Sequence, residues 1–517
     1  MINILREPDK IEIVTKNSSA FIEELSDVHV NFTISGKEMN VNVLANKTAI
    51  SYVKCRWNGS FDKSVKICGD AFERGYGDLE FRGIVPERVM AWYFIAHTAD
   101  SNSGYGVKVR PNAFCFWQAD KAGVTLWLDI RCGSQPLALE GKTLDVVTIV
   151  FDESKEQVFD FMKSFCKSMS DQPLSVSEPV YGSNNWYYAY GNSSAEQIIE
   201  DTKLIAELTC DLEVRPYMVI DDGWQFNSEN GECNSTIGTV SNHKFNDMKA
   251  LANLIKDHDV KPGLWVRPLK CNPNSINKDI LSNRDSNFLD PSLDESMEVI
   301  AADIQRITKE WGYQLIKYDF STYDVLGCFV QKVDVQMTQG DWEFKNKMTT
   351  AQVIKKLYKT VYENANGATI IGCNCVSHLG SGYFHLHRSG DDTSGFSWER
   401  TRLMGVNSLA FRLPQHKAFF EVDADCVGIT GAIDWKLNSI WLDLLANSGT
   451  PLFVSMNPQK MTPEIKKDLK AAFVKAAKQT SICTPLDLTD TTCPSIWEID
   501  GEVKEYNFID TMGVIKL

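Results

Sequence analysis

A change of rhythm near residue 185 constrains this chain more than any other feature. From there on, an apolar strand, a loop, an amphipathic helix and another strand recur about every 30 to 50 residues. The strand candidates are "NWYYAYG", "RPYMVIDDGW", "KPGLWVRP", "YQLIKYDFS", "ATIIGCN", "YFHLHRSG", "AFFEVDAD" and "PLFVSMN". Helical segments such as "SAEQIIEDTKLIAELT", "DMKALANLIKDH" and "TTAQVIKKLYKTVYENAN" lie between them. This alternation predicts one (β/α)8 TIM barrel, in which parallel strands are joined by helices. A doubly wound open sheet fits less well, because no glycine-rich phosphate loop follows any strand.

The regions on either side read differently. Up to about residue 170 the chain is a series of β-branched and aromatic runs cut by Gly, Asn and Asp, such as "RVMAWYFIAHTA" and "LDVVTIVFD". That pattern predicts a β-sandwich. The last 38 residues, 480–517, return to short strands. The expected organisation is therefore multidomain: an N-terminal β-sandwich over 1–170, a (β/α)8 catalytic barrel over 171–479 and a short C-terminal β-unit over 480–517.

Bulk properties narrow the function. The 517 residues are 43% hydrophobic, enough for large cores, and the formal net charge of −15 argues against nucleic acid or an anionic membrane as partner. No stretch approaches the roughly 18 apolar residues of a membrane span. The opening "MINILREPDKIEIVTK" carries no apolar leader core, although a leader trimmed ahead of residue 1 is compatible with it. The fourteen cysteines are scattered, several inside apolar runs, and read as buried thiols of a cytoplasmic protein.

Barrel enzymes work at the C-terminal ends of their strands, and polar residues collect at those ends here. Strand two carries Asp221 and Asp222, with Trp224 as a candidate apolar wall; strand three carries Trp265 and Arg267. Strand four carries Lys317 and Asp319, strand five Cys373 and Cys375, strand six Arg388, Asp391 and Asp392, and strand seven Asp423 and Asp425. Lys317 and Asp319 are two apart and project to one face, where an ammonium beside a carboxylate keeps it ionised and suited to nucleophilic attack. A carboxyl in "HRSGDD" could donate a proton if partial burial raises its pKa. Opposed carboxylates on strands four and six are the parts of glycoside hydrolysis. Each pair also has a structural reading, as an ion pair inside the barrel or as a solvated loop. Cys373, Cys375, His385 and His387 offer zinc-type ligands, but their spacing matches no tight Cys-x-x-Cys template, and pocket or core packing is the preferred reading.

The ordered set "IDDGWQ", "KPGLWVRP", "IKYDF", "CVSH…HRSGDD" and "SGTPLFVS" resembles glycoside hydrolase family 36, in particular the branch of alkaline α-galactosidases and raffinose synthases; family 27 is a more distant relative. The resemblance spans residues 185 to about 480. It implies a retaining glycosidase acting on α-linked galactose, with no metal and no cofactor. Asp319 matches the nucleophile and Asp391 the acid/base. Asp221 and Asp222 match the pair that binds the galactose 4- and 6-hydroxyls, as charge-assisted hydrogen bonds from hydroxyls to carboxylates would allow. Lys317 and Arg388 match other sugar-contacting positions, Cys375 lies in the family's cysteine-bearing loop, and Trp224, Trp265 and Asp392 complete the substrate-binding set. Two departures stand out: Gly390 replaces a serine, leaving Asp391 and Asp392 both open as the donor, and "VDADCVG" lacks the usual aromatic between two aspartates on strand seven. The implied partner is a small carbohydrate, an α-galactoside, with homo-oligomer formation left open. Alternatives are a galactosyl transferase of the raffinose-synthase kind, a hydrolase for a β-arabinopyranoside or N-acetyl-α-galactosaminide, and a non-catalytic carbohydrate-binding protein.

Overall fold

The computed structural model describes residues 2–225, 241–330 and 337–509. In its N-terminal region eleven strands pair antiparallel into one sheet. The central strands Met90–His97, Asn102–Val107 and Phe114–Asp120 are buried almost throughout, which explains their unbroken apolar runs. Nearer the edge, Glu38–Ala45 alternates strictly between half-buried and buried residues, the pattern of a sheet with one wet face. The helix Val158–Ser168 closes over the sheet by setting the Phe165 ring against Gly104 and Gly106, where any Cβ would lie within about 3.1 Å of it. This sheet-rich domain agrees with the sandwich expectation at the level of an N-terminal β domain.

The second sheet is wholly parallel. Its strands are Tyr181–Asn184, Tyr217–Ile220, Lys261–Val266, Leu315–Tyr318, Thr369–Gly372, Leu386–Arg388, Glu421–Asp423, Cys426–Ile429 and Leu452–Met456. Glu421–Asp423 pairs with strand six, Cys426–Ile429 pairs with Leu452–Met456, and the latter pairs with strand one. The two free ends of the ladder are thus halves of one strand, seven, interrupted at Ala424 and Asp425, where Asp425 has φ 72°. The sheet accordingly curls round into a TIM-like barrel of eight strand positions. Ile220, Leu264, Ile316 and Ile370 form one register row on its outer face, each without solvent exposure and packed towards the helices. Val219, Leu315, Ile371, Leu386 and Phe453 fill the interior as a separate cluster. Each such side chain contributes roughly 1.5–3 kcal/mol by leaving water.

The first strand corrects the sequence reading. "NWYYAYG" is not the strand: Tyr181–Asn184 is, and Trp186–Ala189 forms a helical turn that ends at Tyr190 in the left-handed region. Tyr181–Asn184 finds parallel partners on both sides, whereas the Asn184 side chain accepts the Trp186 N–H at 2.8 Å and starts the turn. A local Asn bond thus overrides the β-propensity of the aromatics. Two of the barrel helices start in reciprocal caps, Ser194 with Gln197 and Thr349 with Gln352. At the C-terminus, Cys483–Pro485, Ile496–Ile499 and Glu502–Glu505 form a three-stranded antiparallel sheet; residues 510–517 of the expected terminal unit lie outside the described residues. Among the described residues no helix is long and apolar enough to cross a membrane.

Candidate active site

The C-terminal ends of strands two to six converge on a cavity of about 270 Å³. Its floor is built from strands two, three and four. Asp221 follows directly on Tyr217–Ile220, and its Oδ2 accepts hydrogen bonds from Lys317 Nζ and Asn184 Nδ2, both at 2.7 Å. Its Oδ1 accepts the Asp222 N–H at 2.9 Å, and its own N–H donates to Asn185 Oδ1 at 2.8 Å. Burial alone would lower the Lys317 pKa, but the negative charges around it, Asp221 first and Asp319 with it, together turn the net shift upward. Lys317 therefore pairs with Asp221, and the expected Lys317–Asp319 ion pair is replaced. The reason is barrel geometry: inward side chains of alternate strands share a layer, which sets strand four against strand two.

Asp319 is 6% exposed and held from three directions. Oδ2 accepts from Trp265 Nε1 at 3.0 Å; Oδ1 accepts from Asn374 Nδ2 at 2.5 Å and from the Phe320 N–H at 2.6 Å. Phe320 has φ 64°, a left-handed backbone that costs a bulky residue energy and that here turns its amide onto the carboxylate. The arrangement fixes the orientation of a carboxylate facing the cavity.

The rim is made of loops. Arg388, at the end of strand six, places Nη2 3.0 Å from Asp425 Oδ2 and 3.2 Å from Asp392 Oδ1. Burial would raise the pKa of Asp392, but Arg388, Arg74 and Lys317 together hold it below the usual carboxylate range. Asp391 meets two guanidiniums: Oδ1 lies 2.9 Å from Arg74 Nη1, and Oδ2 pairs with Arg400 Nη2. The loop's backbone is stitched to the N-terminal domain, with the Gly75 N–H donating to Ser389 O at 2.8 Å and the Asp391 N–H donating to Gly75 O at 3.0 Å. Gly390 fits because a Cβ there would lie 2.2 Å from the Met404 carbonyl and 2.4 Å from Ser408 Oγ. The glycine that departs from the family pattern is thus required by the helix packed behind it.

Of the residues singled out in the sequence, Asp221, Asp222, Trp265, Lys317, Asp319, Arg388, Asp391 and Asp392 line this one cavity. Two expectations are corrected. Trp224 is fully buried behind the site, donating from Nε1 to the Trp265 carbonyl at 3.1 Å and lying edge-on to Trp311, so it forms no wall of the cavity. Gly223, at φ 117°, turns the chain away before Trp224 is reached. Cys375 is also buried away from the cavity, with Sγ 3.1 Å from the Cys373 carbonyl, and Cys373 lines the site in its place. Strand five ends at Gly372 and Asn374 has φ 48°, so the two-residue alternation does not extend to Cys375. The Cys and His pairs do not gather into one ligand set: His387 stacks on Phe420 at 4.8 Å, and His385 Nδ1 accepts the Ile370 N–H. Sequence reasoning missed Arg74, Trp186, Phe320, Phe329 and Asn374 as lining residues. Asn374 could have been found as the residue between the two cysteines; Arg74 carried no signal, because nothing local marks a residue of one domain as part of another's pocket.

No protein-family model and no curated protein matches the sequence. Solved structures do match. An α-galactosidase from Thermus thermophilus, solved with p-nitrophenyl α-D-galactopyranoside, aligns over 96% of this chain and 99% of its own with a TM-score of 0.63 and 13% identity. A family 36 α-galactosidase from Geobacillus stearothermophilus, in complex with 1-deoxygalactonojirimycin, aligns over 88% of this chain and 69% of its own at a TM-score of 0.60 and 13% identity. The fold is that of the family 36 α-galactosidases. The galactosidase domain of an α-galactosidase-sucrose kinase shares this family 36 fold too, at 16% identity and a TM-score of 0.59 over 91% of this chain and 69% of its own.

Proposed function

We propose that the protein is a retaining glycoside hydrolase that removes terminal α-linked galactose from oligosaccharides. The observation that carries this reading is that two carboxylates, Asp319 just past strand four and Asp391 in the loop after strand six, line one cavity with room for about one sugar ring. In this assignment Asp319 attacks the anomeric carbon and forms a glycosyl-enzyme, and Asp391 acts first as acid and then as base. Asp221 and Asp222 take the 4- and 6-hydroxyls, with Lys317, Arg388 and Trp265 as further contacts. Asp392, tied to Arg388, belongs to the binding wall. The full-length fold match to an α-galactosidase supports the reading, and the close packing at Gly390 gives the departure in the donor loop a steric cause. The catalytic unit would be the barrel, 171–479, flanked by the β domain of 1–170 and the terminal unit of 480–517.

The test is a side-by-side screen of p-nitrophenyl α-galactoside, β-arabinopyranoside and N-acetyl-α-galactosaminide. The α-galactoside should be turned over with kcat/KM at least about tenfold above the others, the discrimination expected when a built polar contact is missing or blocked. A preference for either of the other two, or no turnover of any, contradicts the assignment.

A further inference from the structure

Arg74 belongs to the N-terminal β domain, yet its guanidinium lines the barrel cavity. It is 5% exposed, and Nη1 lies 2.9 Å from Asp391 Oδ1 and 3.6 Å from Asp392 Oδ1. Its Nε sits 3.4 Å from Glu73 Oε1, and its charge lies over the Tyr76 and Phe329 rings at 5.7 and 5.5 Å. The segment that carries it cannot easily move. Arg412 grips it through Asp70 Oδ1, Ala71 O and Glu73 O at 2.6–2.9 Å, and also donates to Ser389 O at 3.1 Å in the donor loop. Glu73, fully buried, accepts from Thr322 Oγ1 at 2.8 Å.

The other guanidinium on Asp391 is different in kind. Arg400 has a side chain 42% exposed and covers Oδ2. A guanidinium only donates, so it cannot face the proton of a carboxyl that is about to act as an acid. One of the two pairs must open for Asp391 to work, and the exposed one is far cheaper to open than the buried one.

Resting on the assignment of Asp391 as proton donor, we propose that Arg74 is a positioning residue of the leaving-group side: it holds Asp391 Oδ1 through turnover, while Arg400 swings away and frees Oδ2 for proton transfer. In the first step the Oδ2 proton goes to the departing glycosidic oxygen as Asp319 bonds to the anomeric carbon and the carbon–oxygen bond breaks. In the second, Oδ2 takes a proton from water as the water oxygen bonds to that carbon and Asp319 leaves. The active site is then composite, and the β domain supplies part of its electrostatics.

The experiment compares Arg74→Gln, Arg74→Lys and Arg400→Gln in the full chain, with melting curves to verify folding. Arg74→Gln should lower kcat on raffinose about 10- to 100-fold with little change in KM, but lower it only about threefold on nitrophenyl α-galactoside, whose leaving group needs no proton. Arg74→Lys should recover part of the loss. Equal losses on both substrates, no recovery in Arg74→Lys, or a larger effect of Arg400→Gln, overturn the proposal. Failure of the underlying reading looks different: Asp391→Ala in the otherwise unaltered chain would show no leaving-group dependence.

Discussion

The floor and the rim of the cavity are built by different means. On the floor, Asp221, Trp265, Lys317 and Asp319 sit within or one residue beyond regular barrel strands, and their polar atoms are paired with neighbours from the same barrel. At the rim, Asp391 and Asp392 hang on a loop whose partners come from the β domain, from a later helix and from the interrupted strand seven. A strand fixes a side chain through its ladder, so the floor needs little besides correct register. A loop has no ladder, and the rim is fixed by ion pairs and by one glycine that lets it lie against a helix. On the proposed reading, the floor suits holding a sugar and presenting a rigid nucleophile, and the rim suits a group that would change protonation state and partner twice per turnover.

The largest expected effect lies on the floor. Asp319→Ala should lower kcat on the order of 10⁴-fold or more, since removal of a nucleophile abolishes the covalent route. Added azide or formate should restore part of the turnover by standing in for the lost carboxylate. Loss below about a hundredfold, or no rescue, would mean that the floor binds and does not attack. The fold around this residue was readable in the chain because "LIKYDFS" combines an apolar run with two polar residues at a spacing of two, and the same holds for strands two and three. Strand one was misplaced, since its aromatics mimic a strand while a single Asn bond makes them a turn. Trp224 and Cys375 were misread for one reason: positive φ at Gly223 and Asn374 ends the strand alternation on which their placement depended. Arg74 was illegible because its role is set by the docking of two domains.

At the rim, Asp391→Ala should cost about 10² to 10⁴-fold on raffinose and only a few-fold on nitrophenyl α-galactoside, as expected for a lost general acid. If Asp392→Ala shows that contrast and Asp391→Ala does not, the donor is Asp392 and the guanidinium pair on its neighbour has another purpose. A smaller effect should follow from Gly390→Ser. The added side chain would press on the Met404 carbonyl, overpacking that costs about 1–3 kcal/mol in denaturant unfolding and loosens the donor loop. Unchanged stability would show that the rim can yield where the geometry says it cannot. The smallest effect is expected behind the floor: Trp224→Phe removes one hydrogen bond to the Trp265 carbonyl, about 0.5–1.5 kcal/mol of stability, and should leave KM within about twofold. A tenfold rise in KM would return Trp224 to the sugar-contacting set.

The proposed division of labour between a fixed nucleophile and a mobile donor has one direct consequence, the configuration of the product. A carboxylate on the floor that attacks the anomeric carbon inverts it once, and water activated from the rim inverts it again. Proton NMR of the first galactose released from an α-galactoside, recorded before mutarotation, reads this out without any substitution in the protein. The account predicts the α-anomer; a first-formed β-anomer would contradict it, because water would then have attacked directly and Asp319 would not be the nucleophile.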